Sequence, residues 1–296
     1  MHRVLSMSTE RLRRPASRRS LRLGETTVTH LPDGVVQLSV PGWLSGSTAA
    51  DWRARADHLD ASGYLVASIG GLLVERDGRA LLIDAGVGPV AAPARAGARV
   101  GALRGGDLPA SLAAVGLSPA AVEAVAFTHL HIDHVGWAWH TPPGADRPLL
   151  AHAPYLFSEP EWRERALAGA EGPGPDVLAA LEPSVRTVPD GEEIFPGVRL
   201  QLRPGHTSGH ASYVIEGGGR RLIAFGDALH SPAQISHPEW SAAPDIDREA
   251  GVRSRRDLVR ELSEPGTLGY GGHFADVVFG RVVPGQDGPR WQPVDS

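Results

Sequence analysis

Residues Thr128 to Trp137, THLHIDHVGW, hold three histidines and an aspartate within His129 to His134, in a chain with 13 histidines in all. Random placement of the chain's His and Asp yields an H-x-H-x-D-H string with a probability on the order of 0.001. Imidazole nitrogen and carboxylate oxygen are the donors a divalent transition metal takes when thiolate is absent. The preceding AVAFTH has a buried-strand pattern. His129 and His131 therefore fall where strand gives way to loop, two residues apart and facing one side. Asp133 and His134 follow in a turn that opens a short helix and aim in another direction. Two adjacent ions, rather than four donors on one, are the natural outcome.

Further donors stand at three more strand ends: His206 in RPGHTSGH, Asp227 in LIAFGDALH and His273 in GYGGHF. Each follows an extended apolar segment and sits beside a glycine, which lets the backbone turn and approach closely. The chain has no cysteine, which removes disulfides, thiolate nucleophiles and self-ligated iron–sulfur clusters. Any metal must take His, Asp or Glu. The serine of Thr207-Ser208-Gly209 lies in no G-x-S-x-G elbow.

Taken in order, THLHIDH, PGHTSGH, FGD and GGHF resemble the metallo-β-lactamase-fold hydrolases, and LLIDAGVG resembles the aspartate-bearing strand that precedes the histidine motif there. The resemblance runs from about Leu21 to Trp291. It implies an α/β fold, a four-layer αββα sandwich with the metals at one edge of two sheets. Carried over by motif, His129, His131 and His206 hold one ion, Asp133, His134 and His273 the other, and Asp227 bridges them; Asp84 hydrogen-bonds nearby without ligating. Zinc is the default for two such divalent ions, although Mn²⁺, Fe²⁺ and Co²⁺ accept the same donors. A hydroxide shared between the ions would then attack a carbonyl or phosphoryl centre, with Asp133 and Asp227 serving catalysis.

GDALHSPAQISHPEW, the D-I-D that follows, an Arg-rich helix and HAPYLFSEPEW resemble the lactonase and methyl-parathion-hydrolase-like branch. Homoserine lactonases of that fold place a tyrosine three residues after the bridging aspartate; here the position is His230. That departure tilts toward the parathion-hydrolase-like pattern and makes His230 a candidate substrate contact, with an orienting role beside it left open. The implied activity is dinuclear metal-dependent hydrolysis of an ester, a lactone or a related acyl or phosphoester substrate. A hydroxyacylglutathione-type thioesterase, a mononuclear iron persulfide dioxygenase and a non-catalytic binding module are the alternatives.

The elements that must position these residues begin as sheet. TTVTHL and GVVQLSV read as a hairpin, and YLVASIGGLLVERDG and RALLIDAG as strands joined at Asp77-Gly78. Long segments at Pro41 to Gly63 and Val87 to Asp107 read as functional or mobile loops. Helix and strand patterns alternate thereafter, with Asp245 to Glu261 the clearest helix and TLGYGGHF and VVFGRVV the closing strands. Trp43, Trp137 and Trp139 are candidates to line a hydrophobic pocket. His210 reads as a structural hydrogen-bonding residue, and His140, His152 and His237 as background.

The net charge of −5 is uneven: Met1 to Arg22 carries seven Arg and one Glu, which leaves the remainder near −11. An acidic body argues against a nucleic-acid partner. RLRRPASRRS lacks the apolar core of a secretory signal, and no stretch approaches the ~18 apolar residues of a membrane span. The expectation is a cytoplasmic protein with a small-molecule substrate and no membrane partner, compatible with a homodimer. Residues 1–20 are expected to be a disordered Arg-rich tail, and residues 21–296 a single domain.

Overall fold

Near-continuous apolar runs such as Leu72 to Val74 and Leu81 to Ile83 give the central strands two buried faces, so each sheet must be covered on both sides. The computed structural model describes residues 10–40, 42–286 and 288–295. Its first sheet runs, edge to edge, through Val185–Val188, Tyr155–Ser158, Ala124–Ala126, Arg79–Ile83, Tyr64–Arg76, Thr26–Ser39, Val100–Arg104 and Ala91–Ala92, with Arg19–Leu23 paired to Thr26–Ser39. The second runs through Glu193–Phe195, Val198–Leu202, Ala211–Gly217, Arg220–Ala224, Thr267–Tyr270, Phe279–Gly285 and Gly288–Pro293.

Leu72, Val74, Leu81 and Ile83 of the first sheet pack on Val198, Tyr213, Leu222 and Leu268 of the second. Their neighbours Leu73, Ala80 and Leu82 point the other way, toward helices Leu108–Ala113, Ile132–Trp139 and Pro175–Leu181. On the far side, Leu258 and Leu262 of helix Arg248–Leu262 cover Ile223 and Phe225. The result is the αββα layering. Asp247 starts that last helix by accepting from Ala250 N at 2.9 Å, which satisfies one of the otherwise free first-turn donors.

Several local expectations are met. Asp77 and Gly78 form the tight turn between Tyr64–Arg76 and Arg79–Ile83, with φ of 53° and 75° as a two-residue hairpin loop requires. The hairpin expected over TTVTHL and GVVQLSV is not there. Thr26–Ser39 is one strand with a register shift between Pro32 and Gly34, because Tyr64–Arg76 pairs with both of its halves. Of the expected loops, Val87 to Asp107 contributes strands Val100–Arg104 and Ala91–Ala92 at one end of the first sheet, and the described part of the 41–63 segment contains helix Ala49–Ala54.

The expected disordered tail also needs correction. Residues 10–20 lie against the body: Ala16 is buried, Arg19 begins a strand, and Arg11, Arg14 and Arg19 surround the buried Asp276 carboxylate. Ion pairing and strand pairing anchor a segment whose apolar content is too low to do so. The part of that expectation covering residues 1–9 lies outside the described residues. Among the described residues no helix is long and apolar enough to cross a membrane.

Candidate metal centre

The chemistry-bearing residues gather where strands of both sheets end. His129 and His131 follow Ala124–Ala126, and His131 immediately precedes helix Ile132–Trp139, whose first turn carries Asp133 and His134. His206 follows Val198–Leu202, Asp227 sits in a 3₁₀ turn after Arg220–Ala224, and His273 follows Thr267–Tyr270. One donor atom each from His129, His131, His206 and Asp227 lies within 4.8 Å of the others, and the same holds for Asp133, His134 and His273.

The Asp227 carboxylate joins the two groups. Its Oδ2 lies 3.3 Å from His206 Nε2 and 3.8 Å from His129 Nε2. Its Oδ1 lies 3.1 Å from both His134 Nε2 and His273 Nε2. Asp133 approaches the second group alone, with Oδ2 3.5 Å from His273 Nε2 and Oδ1 3.7 Å from His134 Nε2. His129 Nε2, His134 Nε2 and Asp227 Oδ1 are buried without a hydrogen-bond partner. Buried polar atoms left unpaired are costly, and three gathered about the Asp227 carboxylate, two of them in different donor groups, fit ligands to cations on either side of it.

The protonation states suit the same purpose. Burial, with the imidazoles of His134 and His131 adding to it, holds His129 well below the usual imidazole value; burial with His206 alongside brings His131 to about 3. Both present neutral nitrogens. Burial would raise the Asp227 carboxyl, but His273 and His134 outweigh it and hold the group well below the carboxylate range. Burial likewise opposes a proton on His206, yet hydrogen bonds to Asp227 and Asp245 lift it to about 9. Protons on His206 would therefore have to leave when a cation binds.

Residues 71–273 match the metallo-beta-lactamase superfamily. The chain belongs to that superfamily. A probable metallo-hydrolase of Mycobacterium bovis is 31% identical over 180 residues, covering 54% of this chain and 56% of that protein. The chain thus spans little more than half the length of that curated relative. Among solved structures, AidC, a dizinc quorum-quenching lactonase, aligns with a TM-score of 0.78 at 21% identity, over 95% of this chain and 98% of its own. AbOPH, a hydrolase of the beta lactamase superfamily, aligns at 0.74 and 23%, over 94% and 98%. Likeness at that identity speaks for the fold.

In this superfamily member each clustered imidazole is aimed by a bond to its other nitrogen. His134 Nδ1 lies 2.9 Å from Asp84 Oδ2, the hydrogen-bonding place expected for that aspartate, and Asp84 takes an uncommon φ of 60° to reach it. His206 Nδ1 meets Asp245 Oδ1 at 2.8 Å, His273 Nδ1 donates to Ser68 O at 2.7 Å, and His129 Nδ1 lies 3.0 Å from Thr128 Oγ1. His131 is turned round: its Nε2 donates to Ala168 O at 3.0 Å, which leaves Nδ1 for the centre. His210 has the structural place expected of it, with Nε2 accepting from Asp227 N at 3.0 Å.

Asp245 and Glu161 escape a reading by motif. Asp245 is itself held by Arg255 Nη1 at 2.9 Å and Ala242 N at 3.1 Å, so His206 is oriented by a buried chain of charges. Glu161 accepts from Leu130 N at 2.8 Å, Thr207 Oγ1 at 2.7 Å and Gly209 N at 3.0 Å, which ties the His129–His131 loop to the His206 loop. Both acids stand within motifs that carry the resemblance, but their partners are distant in sequence. That separation hides their roles.

Beside the centre lies a cavity of about 120 Å³ with Val36, Leu38, Trp43, Ile69, Val100 and Leu103 in its walls and Asp133, Asp227, His230 and His273 on its polar side. His230 is buried, with Nε2 3.1 Å from Asp227 Oδ2, its backbone N donating to Gln234 Oε1 at 2.7 Å and its ring edge-on to Trp43. Of the three tryptophans expected at a pocket only Trp43 reaches it. Trp137 is drawn away because its indole donates to the buried Asp33 at 2.7 Å, and Trp139 packs in the outer helical layer. His140 stacks on Trp139, His152 donates to Val122 O, and His237 stacks on Trp240, all outside the cluster.

Proposed function

We propose that this chain is a dinuclear metal-dependent hydrolase of an ester, lactone or related acyl or phosphoester bond in a small molecule that carries an apolar group. The observation that carries the reading is the shared Asp227 carboxylate, with one oxygen toward His206 and His129 and the other toward His134 and His273. His129, His131 and His206 would hold one cation, Asp133, His134 and His273 the other, and Asp227 both. Two divalent ions held this way supply Lewis acidity and make water acidic enough to ionise near neutral pH. All-N/O donors and likeness to a dizinc lactonase favour zinc, although Mn²⁺, Fe²⁺ and Co²⁺ accept the same set.

His230, which lines the cavity beside Asp227 with both ring nitrogens lacking a hydrogen-bond partner, would donate an imidazole N–H to the reacting carbonyl or phosphoryl oxygen. The apolar walls take the chain of the substrate and exclude water from it. Ile132, Leu167 and Ile246 are large apolar side chains left exposed among the described residues. Ile132 lines the cavity itself, Leu167 precedes the Ala168 that aims His131, and Ile246 N donates to His206 O. A complete second donor set speaks against a mononuclear iron dioxygenase, and a full complement of donors against a binding module.

Metal analysis of the purified chain with a panel of lactones, aryl esters, thioesters and aryl phosphotriesters tests this. Two ions per chain and turnover that rises with acyl-chain length, lost on chelation and restored by zinc, are expected. Two bound ions with no hydrolysis across the panel would refute the activity, and a single bound iron would point to oxygenation.

A further inference from the structure

The segment over residues 10–20 reaches the candidate centre through a short series of hydrogen bonds. Ala16 N donates to Ser68 Oγ at 2.7 Å, and that hydroxyl donates onward to Ala275 O at 3.0 Å. The carbonyl of the same Ser68 accepts from His273 Nδ1 at 2.7 Å. Two residues on from His273, Ala275 holds a φ of 40°, a backbone conformation that a side-chain-bearing residue adopts only when its surroundings enforce it.

The next residue supplies the enforcement. Asp276 is buried, and its carboxylate accepts from Arg14 Nη2 at 2.7 Å, Arg19 Nη2 at 2.9 Å and Ser17 N at 3.3 Å. Its carbonyl accepts from Arg11 Nε at 2.8 Å, and its own N–H donates to Arg11 O at 3.1 Å. Every polar group of Asp276 is thus met by residues 10–20. The loop from Gly271 to Asp276 has His273 at its centre; this segment grips Asp276 directly and reaches Ala275 through Ser68.

We infer that residues 10–20 form a positioning arm that, through Ser68 and Asp276, fixes the loop carrying His273 and so sets the affinity of the second cation position. Ser68 and Asp276 are positioning residues: neither belongs to either donor group. The inference rests on the dinuclear reading above. Because, among the described residues, the arm's hydrogen bonds reach the His273 loop and not the loops of His129 or His206, its effect is selective. A general loss of stability would weaken both positions together.

Asp276→Asn and Ser68→Ala, each in the full chain, test the arm by two measurements. Titration of the metal-free protein with Co²⁺, followed by calorimetry and by its visible absorption bands, should give a first equivalent bound as in the parent and a second weakened about 10- to 100-fold. Hydrogen exchange on the metal-free protein should be faster over Gly271 to Val278 and unchanged over Thr128 to His134. Unaltered binding of both equivalents, or equal weakening of both, would overturn the inference. If the parent binds no pair of ions, the dinuclear reading fails separately, and exchange decides: selective acceleration supports the arm, and unchanged exchange overturns it. Ser68→Ala removes one hydroxyl, so it supplies the answer if Asp276→Asn does not fold.

Discussion

Asp227 is buried deeply enough to favour its neutral acid, yet the imidazoles of His273 and His134 keep it ionised. Its charge is thus set by the residues it would share with two cations. Asp227→Asn replaces that charge with an amide that bridges cations poorly; turnover should fall roughly 10²-fold or more and bound metal to one equivalent or fewer. Two bound metals with parental turnover would reject the bridge. His230→Ala should instead keep both ions and lose about 10²-fold in kcat, as for one donor to the reacting oxygen. Restoration of turnover by saturating zinc would show that His230 acts on the metal and not on substrate. With chelator present, His206 adds a pH signature. Its folded-state value of about 9 exceeds the ordinary 6.5, so its stabilisation is complete below pH 6.5 and is lost as pH rises through 9. Urea denaturation of the metal-free chain should show stability falling from pH 7 to 9, and a flat or rising profile would contradict it. All seven candidate donors were legible in the sequence: four crowd into His129 to His134, and His206, Asp227 and His273 each sit beside a glycine at a strand end. Asp245, Glu161 and Ser68 were not, since each acts on a partner 31 to 205 residues away that only the fold brings near.

At the scale of elements, the cavity wall depends on a residue that looks like turn punctuation. Pro32-Asp33-Gly34 has the composition of a hairpin turn. In place of a turn, the strand passes through with a bulge, and the Asp33 carboxylate collects Val87 N, Gly88 N, Gly106 N, Leu108 N and Trp137 Nε1. This holds the segment that supplies Val100 and Leu103 to the cavity. Asp33→Ala strands five donors, four of them in buried hydrogen bonds, at about 1–3 kcal/mol for each that finds no water. Loss of 3 kcal/mol or more in urea denaturation is expected, and a change below about 1 kcal/mol would mean that the bulge is not what holds the loop. The Asp77-Gly78 turn and the Arg248–Leu262 helix were legible from local chemistry. The bulge was not, because only pairing with Tyr64–Arg76 shows that the strand continues.

For the whole molecule, two sheets bring four strand ends to one edge, and the helices that cover them leave that edge open to a cavity with apolar walls. The order of motifs made this layering legible. The arm was misread because its arginines suggested solvent, whereas a buried carboxylate more than 250 residues away in the chain receives them. Everything proposed for the centre depends on two cations flanking Asp227. Crystals of the zinc-loaded protein, measured on either side of the zinc absorption edge, test this most directly. Two anomalous peaks about 3.5–4 Å apart, one among His129, His131 and His206 and one among Asp133, His134 and His273, are predicted. A single peak, or two that do not share the Asp227 carboxylate, would contradict the account.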